Sequence, residues 1–125
     1  MAMTILVVDD SVTMVLSLKT TLAMSGFEVE TAGNGQEALK KLQSGLKPNL
    51  IITDINMPVM GGMEALERIR AIRPDVPVLF MSGYMREGEL RHLDNATDFL
   101  QKPFQIEDLQ EKLRVLLSDS EDTVS

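Results

Sequence analysis

Short apolar runs alternate with stretches of helical period along this chain. Ile5-Leu6-Val7-Val8, Leu50-Ile51-Ile52 and Val78-Leu79-Phe80-Met81 carry no polar interruption, as expected of strands covered on both faces rather than strands with one wet side. Strands are predicted at Thr4–Val8, Glu28–Thr31, Leu50–Thr53, Val78–Met81 and Asp98–Leu100. Helices are predicted between them. The first, Val12–Met24, stops at Gly26, and the second, Gln36–Gln43, follows Asn34-Gly35 and stops at Gly45; both glycines suit a left-handed C-terminal cap. A third spans Gly62–Ile72 before Pro74, and the last, Ile106–Leu117, places Ile106, Leu109, Leu113 and Leu116 on one stripe. The segment Gly83–Asn95 is weak, with only Leu90 and Leu93 as a stripe and Gly88 inside it, so a short or mobile helix is expected there. Strands alternating with helices predict an α/β fold with a parallel sheet covered on both faces. On the first helix, Met14, Val15, Leu18 and Leu22 should be buried, leaving Val12 and Leu16 on the opposite side.

The length of 125 residues suits one domain with its own core. That domain is predicted over residues 1–117, with the polar, acidic stretch 118–125 as a disordered tail or linker. Acidic residues outnumber basic ones 19 to 12, for a net charge of −7, with no Lys/Arg cluster; binding to nucleic acid or an anionic membrane is disfavoured and a protein partner expected. The absence of cysteine removes disulfides, thiolate catalysis and sulfur-ligated zinc, and a lone His92 cannot build a multi-histidine site. Neither an export signal nor a membrane span is predicted, so the expected location is cytoplasmic.

Two of the apolar runs end at carboxylates: the first at Asp9-Asp10, the second, after Thr53, at Asp54. If those strands are neighbours in a parallel sheet, the three acids converge at its carboxyl edge, where open α/β sheets bind ligands. Such a cluster calls for a hard, oxygen-seeking cation such as Mg²⁺, and Lys102, ahead of Pro103, could add a fixed positive charge. Blander roles compete. An Asp at a strand-to-helix junction often caps a helix, and Asp54 before a proline-containing loop could be turn chemistry. Two acids in tandem with a third on another strand weigh against the first reading, and the neighbours Asn56, Met57, Pro58 and Gly61-Gly62 against the second.

Four motifs occur in order: Ile5-Leu6-Val7-Val8-Asp9-Asp10, Asp54-Ile55-Asn56-Met57-Pro58-Val59-Met60-Gly61-Gly62, Met81-Ser82-Gly83-Tyr84 and Phe99-Leu100-Gln101-Lys102-Pro103-Phe104. Together they resemble a response-regulator receiver domain of two-component signalling, similar to receivers of chemotaxis-type regulators and hybrid histidine kinases. The resemblance implies a doubly wound, flavodoxin-like sheet of five parallel strands in the order 2-1-3-4-5. It implies that Asp54 accepts a phosphoryl group from a histidine kinase or histidine phosphotransfer protein. Mg²⁺ would be held by Asp10, Asp54 and the backbone carbonyl of Asn56, with Asp9 acting through water. Lys102 and Ser82 would contact the phosphoryl oxygens, Gly83 would leave room for the group, and Tyr84 would stand at the site entrance. The Lys102–Pro103 bond resembles a family position that is cis. A switch through Ser82 and Phe99 would change contacts with a downstream protein. Because phenylalanine lacks a hydroxyl to anchor it outward, Phe99 is expected to populate its inward state without phosphate. The resemblance leaves open a stand-alone regulator or a domain from a hybrid kinase, and a monomer with no enzymatic turnover is expected.

Two other classes fit less well. A haloacid-dehalogenase-like phosphotransferase needs Asp-x-Asp after the first strand, where this chain has Asp9-Asp10-Ser11. A flavodoxin-like carrier needs a Ser/Thr/Gly-rich phosphate loop and ring-stacking aromatics, but acids occupy that loop and the chain has one Tyr and no Trp.

Overall fold

The structure, a computed structural model, describes residues 3–55, 62–82, 97–102 and 104–122. Five parallel strands, β1 (Thr4–Val8), β2 (Glu28–Ala32), β3 (Leu50–Asp54), β4 (Val78–Ser82) and β5 (Thr97–Gln101), form one sheet in the order β2-β1-β3-β4-β5. The described helices are α1 (Val12–Met24), α2 (Gly35–Gln43), α3 (Gly62–Ile72) and α4 (Ile106–Asp122). The doubly wound α/β expectation is met. The weak helix expected between Gly83 and Asn95 lies outside the described residues.

Alternation along the strands divides the core in two. Leu6, Val8, Ile51, Val78 and Phe80 pack with Leu39 and Leu42 of α2 and Ala65 and Ile69 of α3. Ile5, Val7, Ile52, Leu79 and Met81 face the other way, onto Leu18 and Leu22 of α1 and Leu109, Leu113 and Leu116 of α4. Each such buried aliphatic side chain contributes roughly 1.5–3 kcal/mol of transfer free energy, so the uninterrupted apolar runs follow from having helices on both faces. Gly26 and Gly45 take positive φ angles, 95° and 111°, as C-terminal caps.

β3 and β4 each run one residue beyond the predicted end, making Asp54 and Ser82 the last residues of their strands. Ladder bonding explains this: the Ile55 amide donates to the Met81 carbonyl at 3.0 Å, and the Lys102 amide to the Ser82 carbonyl at 2.7 Å. Helix α4 extends to Asp122, beyond Leu117, into the stretch predicted as an irregular tail. No glycine or proline interrupts residues 118–122, and extending an existing helix costs far less than nucleating one. Among the described residues no helix is long and apolar enough to cross a membrane.

Candidate functional site

The sheet order places β1 between β2 and β3, with Val8 in register with Thr53. Residues that follow these positions therefore meet at one carboxyl edge. Asp9, Asp10 and Asp54 each present a carboxylate oxygen within 4.8 Å of the others. Their environments differ. Asp9 is 2% exposed, Asp54 half-buried and Asp10 exposed.

Asp9 is held from two sides. Its backbone amide donates to the Ala32 carbonyl at 3.1 Å, and its Oδ1 accepts from the Ser11 amide at 2.9 Å. Ser11 caps α1, its hydroxyl accepting from the Met14 amide at 3.3 Å. The capping role considered for an acid at this junction is thus taken by Ser11, which leaves Asp10 outside the cap. Asp9 Oδ2 is buried with no hydrogen-bond partner among the described residues; Lys102 Nζ lies 3.7 Å away, near enough for charge attraction but too far for a hydrogen bond. Lys102 Nζ is closer to Asp54, donating to Oδ2 at 3.3 Å. One ammonium thus bridges two carboxylates, from the residue just after β5.

Burial pushes the Asp9 carboxyl above the ordinary carboxylate range. The Ser11 amide and Lys102 pull it down; the charge of Asp54 and the neighbouring Asp10 carboxyl raise it again. A buried acid with a raised pKa binds its proton more tightly folded than unfolded, so its ionisation opposes folding as pH climbs. Asp9→Asn keeps an oxygen for the Ser11 amide and removes that cost. The variant is expected to melt higher than wild type at neutral pH without divalent ions. The gain should shrink as pH falls through the raised Asp9 pKa toward the unfolded value near 3.8. Thermal melts across that range check it, and a lower midpoint at neutral pH would contradict it.

Ser82 is fully buried at the end of β4, the strand beside β3. Phe99 is half-buried, packs against the α2/α3 face of the core and stacks on Phe80, ring centroids 5.5 Å apart and planes 30° from parallel. It is the strand partner of Phe80. Asn56, Gly83, Tyr84 and Pro103, and with Pro103 the cis-peptide expectation, lie outside the described residues, as does His92. Sequence reasoning missed two features. Thr53, beside Asp54, is buried, and Asp98 pairs with Lys112 of α4 through both carboxylate oxygens, at 3.1 and 3.0 Å. Strand alternation held the signal for the second, since Asp98 has the opposite parity to Phe99.

On α1, Leu18 and Leu22 are buried and Met14 and Val15 pack beside them, whereas Val12 is 73% and Leu16 58% exposed. Ile106, expected within the α4 stripe, is also exposed, because α4 meets the sheet only from Leu109 onward. Met14, Ser17, Leu18, Phe104, Ile106 and Lys102 line a groove of about 530 Å³ between α1 and α4.

Residues 5–114 match the family described as the response regulator receiver domain. The chain is 39% identical over 115 residues to the transcriptional regulatory protein PrrA of Mycobacterium tuberculosis, covering 90% of this chain and 49% of that protein. It thus spans about half the length of such curated relatives. The solved structure of chemotaxis protein CheY4 of Vibrio cholerae is similar, with a TM-score of 0.86 and 34% identity, over 94% of this chain and 100% of that one. So is response regulator TrrA of Thermotoga maritima in complex with Mg(2+)-BeF, with a TM-score of 0.80 and 37% identity, over 92% of this chain and 99% of that one.

Proposed function

The chain belongs to the response regulator receiver domain family of two-component systems, and on that premise we propose that Asp54 is its phosphoacceptor. The observation that carries this reading is the cluster of Asp9, Asp10 and Asp54 within 4.8 Å, with Lys102 Nζ 3.3 Å from Asp54 Oδ2. An Asp54 oxygen attacks the phosphorus of a phosphohistidine. A P–O bond forms as the P–N bond breaks, and the imidazole leaves with the bonding pair and takes up a proton. Charge on the phosphoryl oxygens is the main obstacle, so positioning and neutralisation govern the rate. Lys102 supplies a fixed positive charge, and Ser82, at the neighbouring strand end, a hydroxyl donor.

The donor set suits Mg²⁺: three carboxylates that each offer an oxygen, with Asp9 Oδ2 buried and without a hydrogen bond among the described residues. Asp10, Asp54 and the Asn56 carbonyl would hold the ion, with Asp9 acting through water. When bound it supplies further charge neutralisation to the transferring group. The Mg(2+)-BeF complex of TrrA supports this assignment. Labelling with acetyl phosphate and Mg²⁺, read by intact and peptide mass spectrometry, should place one phosphoryl group on Asp54. Steady turnover of the phosphodonor, or a label elsewhere, would contradict the reading.

The phosphodonor is a histidine kinase or histidine phosphotransfer protein, and the output is a changed contact with a downstream protein, through Ser82 and Phe99. Phosphorylation replaces the single negative charge of the Asp54 carboxylate with a phosphoryl group carrying about −1.5 to −2 charges and further acceptor oxygens at the strand ends, which biases packings around β5 and α4. Any nucleic-acid contact would belong to a domain fused to this one. The exposed Val12 and Leu16 on α1, with the exposed Ile106 in the groove that Lys102 also lines, suit an apolar helix of the donor. Val12→Asp with Leu16→Asp should slow transfer from a donor protein at least about tenfold, the loss expected from disrupting an interface anchor. Labelling by acetyl phosphate should stay unchanged. Equal transfer from the protein donor would remove this surface from the docking site.

A further inference from the structure

We propose that Thr53 is a positioning residue for Asp54, acting through the peptide unit that joins Asp54 to Ile55. This rests on reading Asp54 as the phosphoacceptor. Thr53 is 1% exposed, in register with Val8 on one side and Phe80 on the other, and it shares its strand face with Ile51 and Ile55. These neighbours are apolar, so valine, of equal shape, would suit the packing. A hydroxyl there is costly to desolvate unless bonded, and this one donates to the Asp54 carbonyl oxygen at 3.2 Å.

The opposite end of the same peptide unit is also tied, because the Ile55 amide donates to the Met81 carbonyl at 3.0 Å. Bonded at both ends, the peptide plane cannot rotate independently of the sheet, and the backbone torsion that aims the Asp54 side chain is fixed. That matters because Asp54 is the last residue of β3, so the peptide unit leading out of it sets how its side chain is aimed at the strand end. Small misplacements of a nucleophile are expensive: about 1 Å can cost a hundredfold in rate. Thr53 touches neither the phosphodonor nor the reacting atoms; its effect passes through the backbone.

Acetyl phosphate labelling rates at saturating Mg²⁺, measured alongside thermal melts, test this. Thr53→Val is expected to slow labelling of Asp54 about tenfold while keeping a cooperative melt. Thr53→Ser retains the hydroxyl but loses a buried methyl, so it should label at close to the wild-type rate despite a lower midpoint. Thr53→Ala differs from Thr53→Ser only by the oxygen and should label as slowly as Thr53→Val, which keeps the test decisive if the valine packs badly. A wild-type rate in Thr53→Val, or equal rates in Thr53→Ser and Thr53→Ala, would overturn the assignment. Failure of the wild type to accept phosphate on Asp54 would instead overturn the phosphoacceptor reading beneath it.

Discussion

Asp54→Asn is expected to abolish covalent labelling, lowering its rate by at least roughly 10³-fold, the scale seen when the nucleophile of a built site is removed. The amide is nearly isosteric with the carboxylate, so β3 and its pairing with β1 and β4 should persist, and the loss would be chemical rather than structural. The amide oxygen is a poor nucleophile toward phosphorus because its lone pairs are delocalised and it carries no charge. The substitution also removes one of the charges that raise the Asp9 pKa, so the variant should fold at least as well as wild type. Full-rate labelling of this variant by acetyl phosphate would place the acceptor on another residue.

Lys102→Met is expected to reduce labelling by about 10²–10³-fold, the magnitude typical of removing one preorganised stabiliser of developing charge. Lys102 is the cation shared by Asp54, at 3.3 Å, and Asp9, at 3.7 Å. Methionine keeps much of the stem and its packing but removes the ammonium, so two opposite effects separate. Phosphoryl transfer should fall because a positive charge no longer faces the phosphoryl oxygens. Affinity for Mg²⁺ should rise because a repelling cation has left a cluster of three carboxylates. Without Mg²⁺ the variant should also shift the Asp9 carboxyl further upward, since attraction to Lys102 is one of the influences holding it down. Titrating Mg²⁺ against wild type and variant, with labelling rates measured at saturation, checks both signs. Unchanged labelling would remove Lys102 from the chemistry, and weaker Mg²⁺ binding would show that its role is to organise the carboxylates.

Much of this was legible in the sequence because burial on both faces leaves a strong mark. Val12–Met24 and Gly62–Ile72 match the predicted helices residue for residue, since Gly26 and Pro74 stop the chain by local conformational preference. The three carboxylates were legible too, each standing where an apolar run gives way to polarity. Strand ends were less so. A ladder continues as long as a neighbour offers a carbonyl or an amide, and those neighbours are distant in sequence, so Asp54 and Ser82 fell just beyond the predicted strands. The motif resemblance named Lys102 as a site residue, but neither it nor the local pattern shows which carboxylate the ammonium favours.

From local chemistry alone the chain determines its alternating elements, the faces of α1, the capping glycines and the identity of the acids at the strand ends, because periodicity and side-chain conformation act over a few residues. The tertiary structure decided the rest. Placing β3 beside β1 brought Asp54, from the middle of the chain, within 4.8 Å of Asp9 and Asp10. The same packing buried Asp9 while leaving Asp10 exposed, set one lysine between two carboxylates, and buried Thr53 beside Asp54. Burial and Coulombic attraction depend on what surrounds a group in space, and adjacent aspartates with the same chemistry therefore acquire different roles only when the sheet closes around one of them.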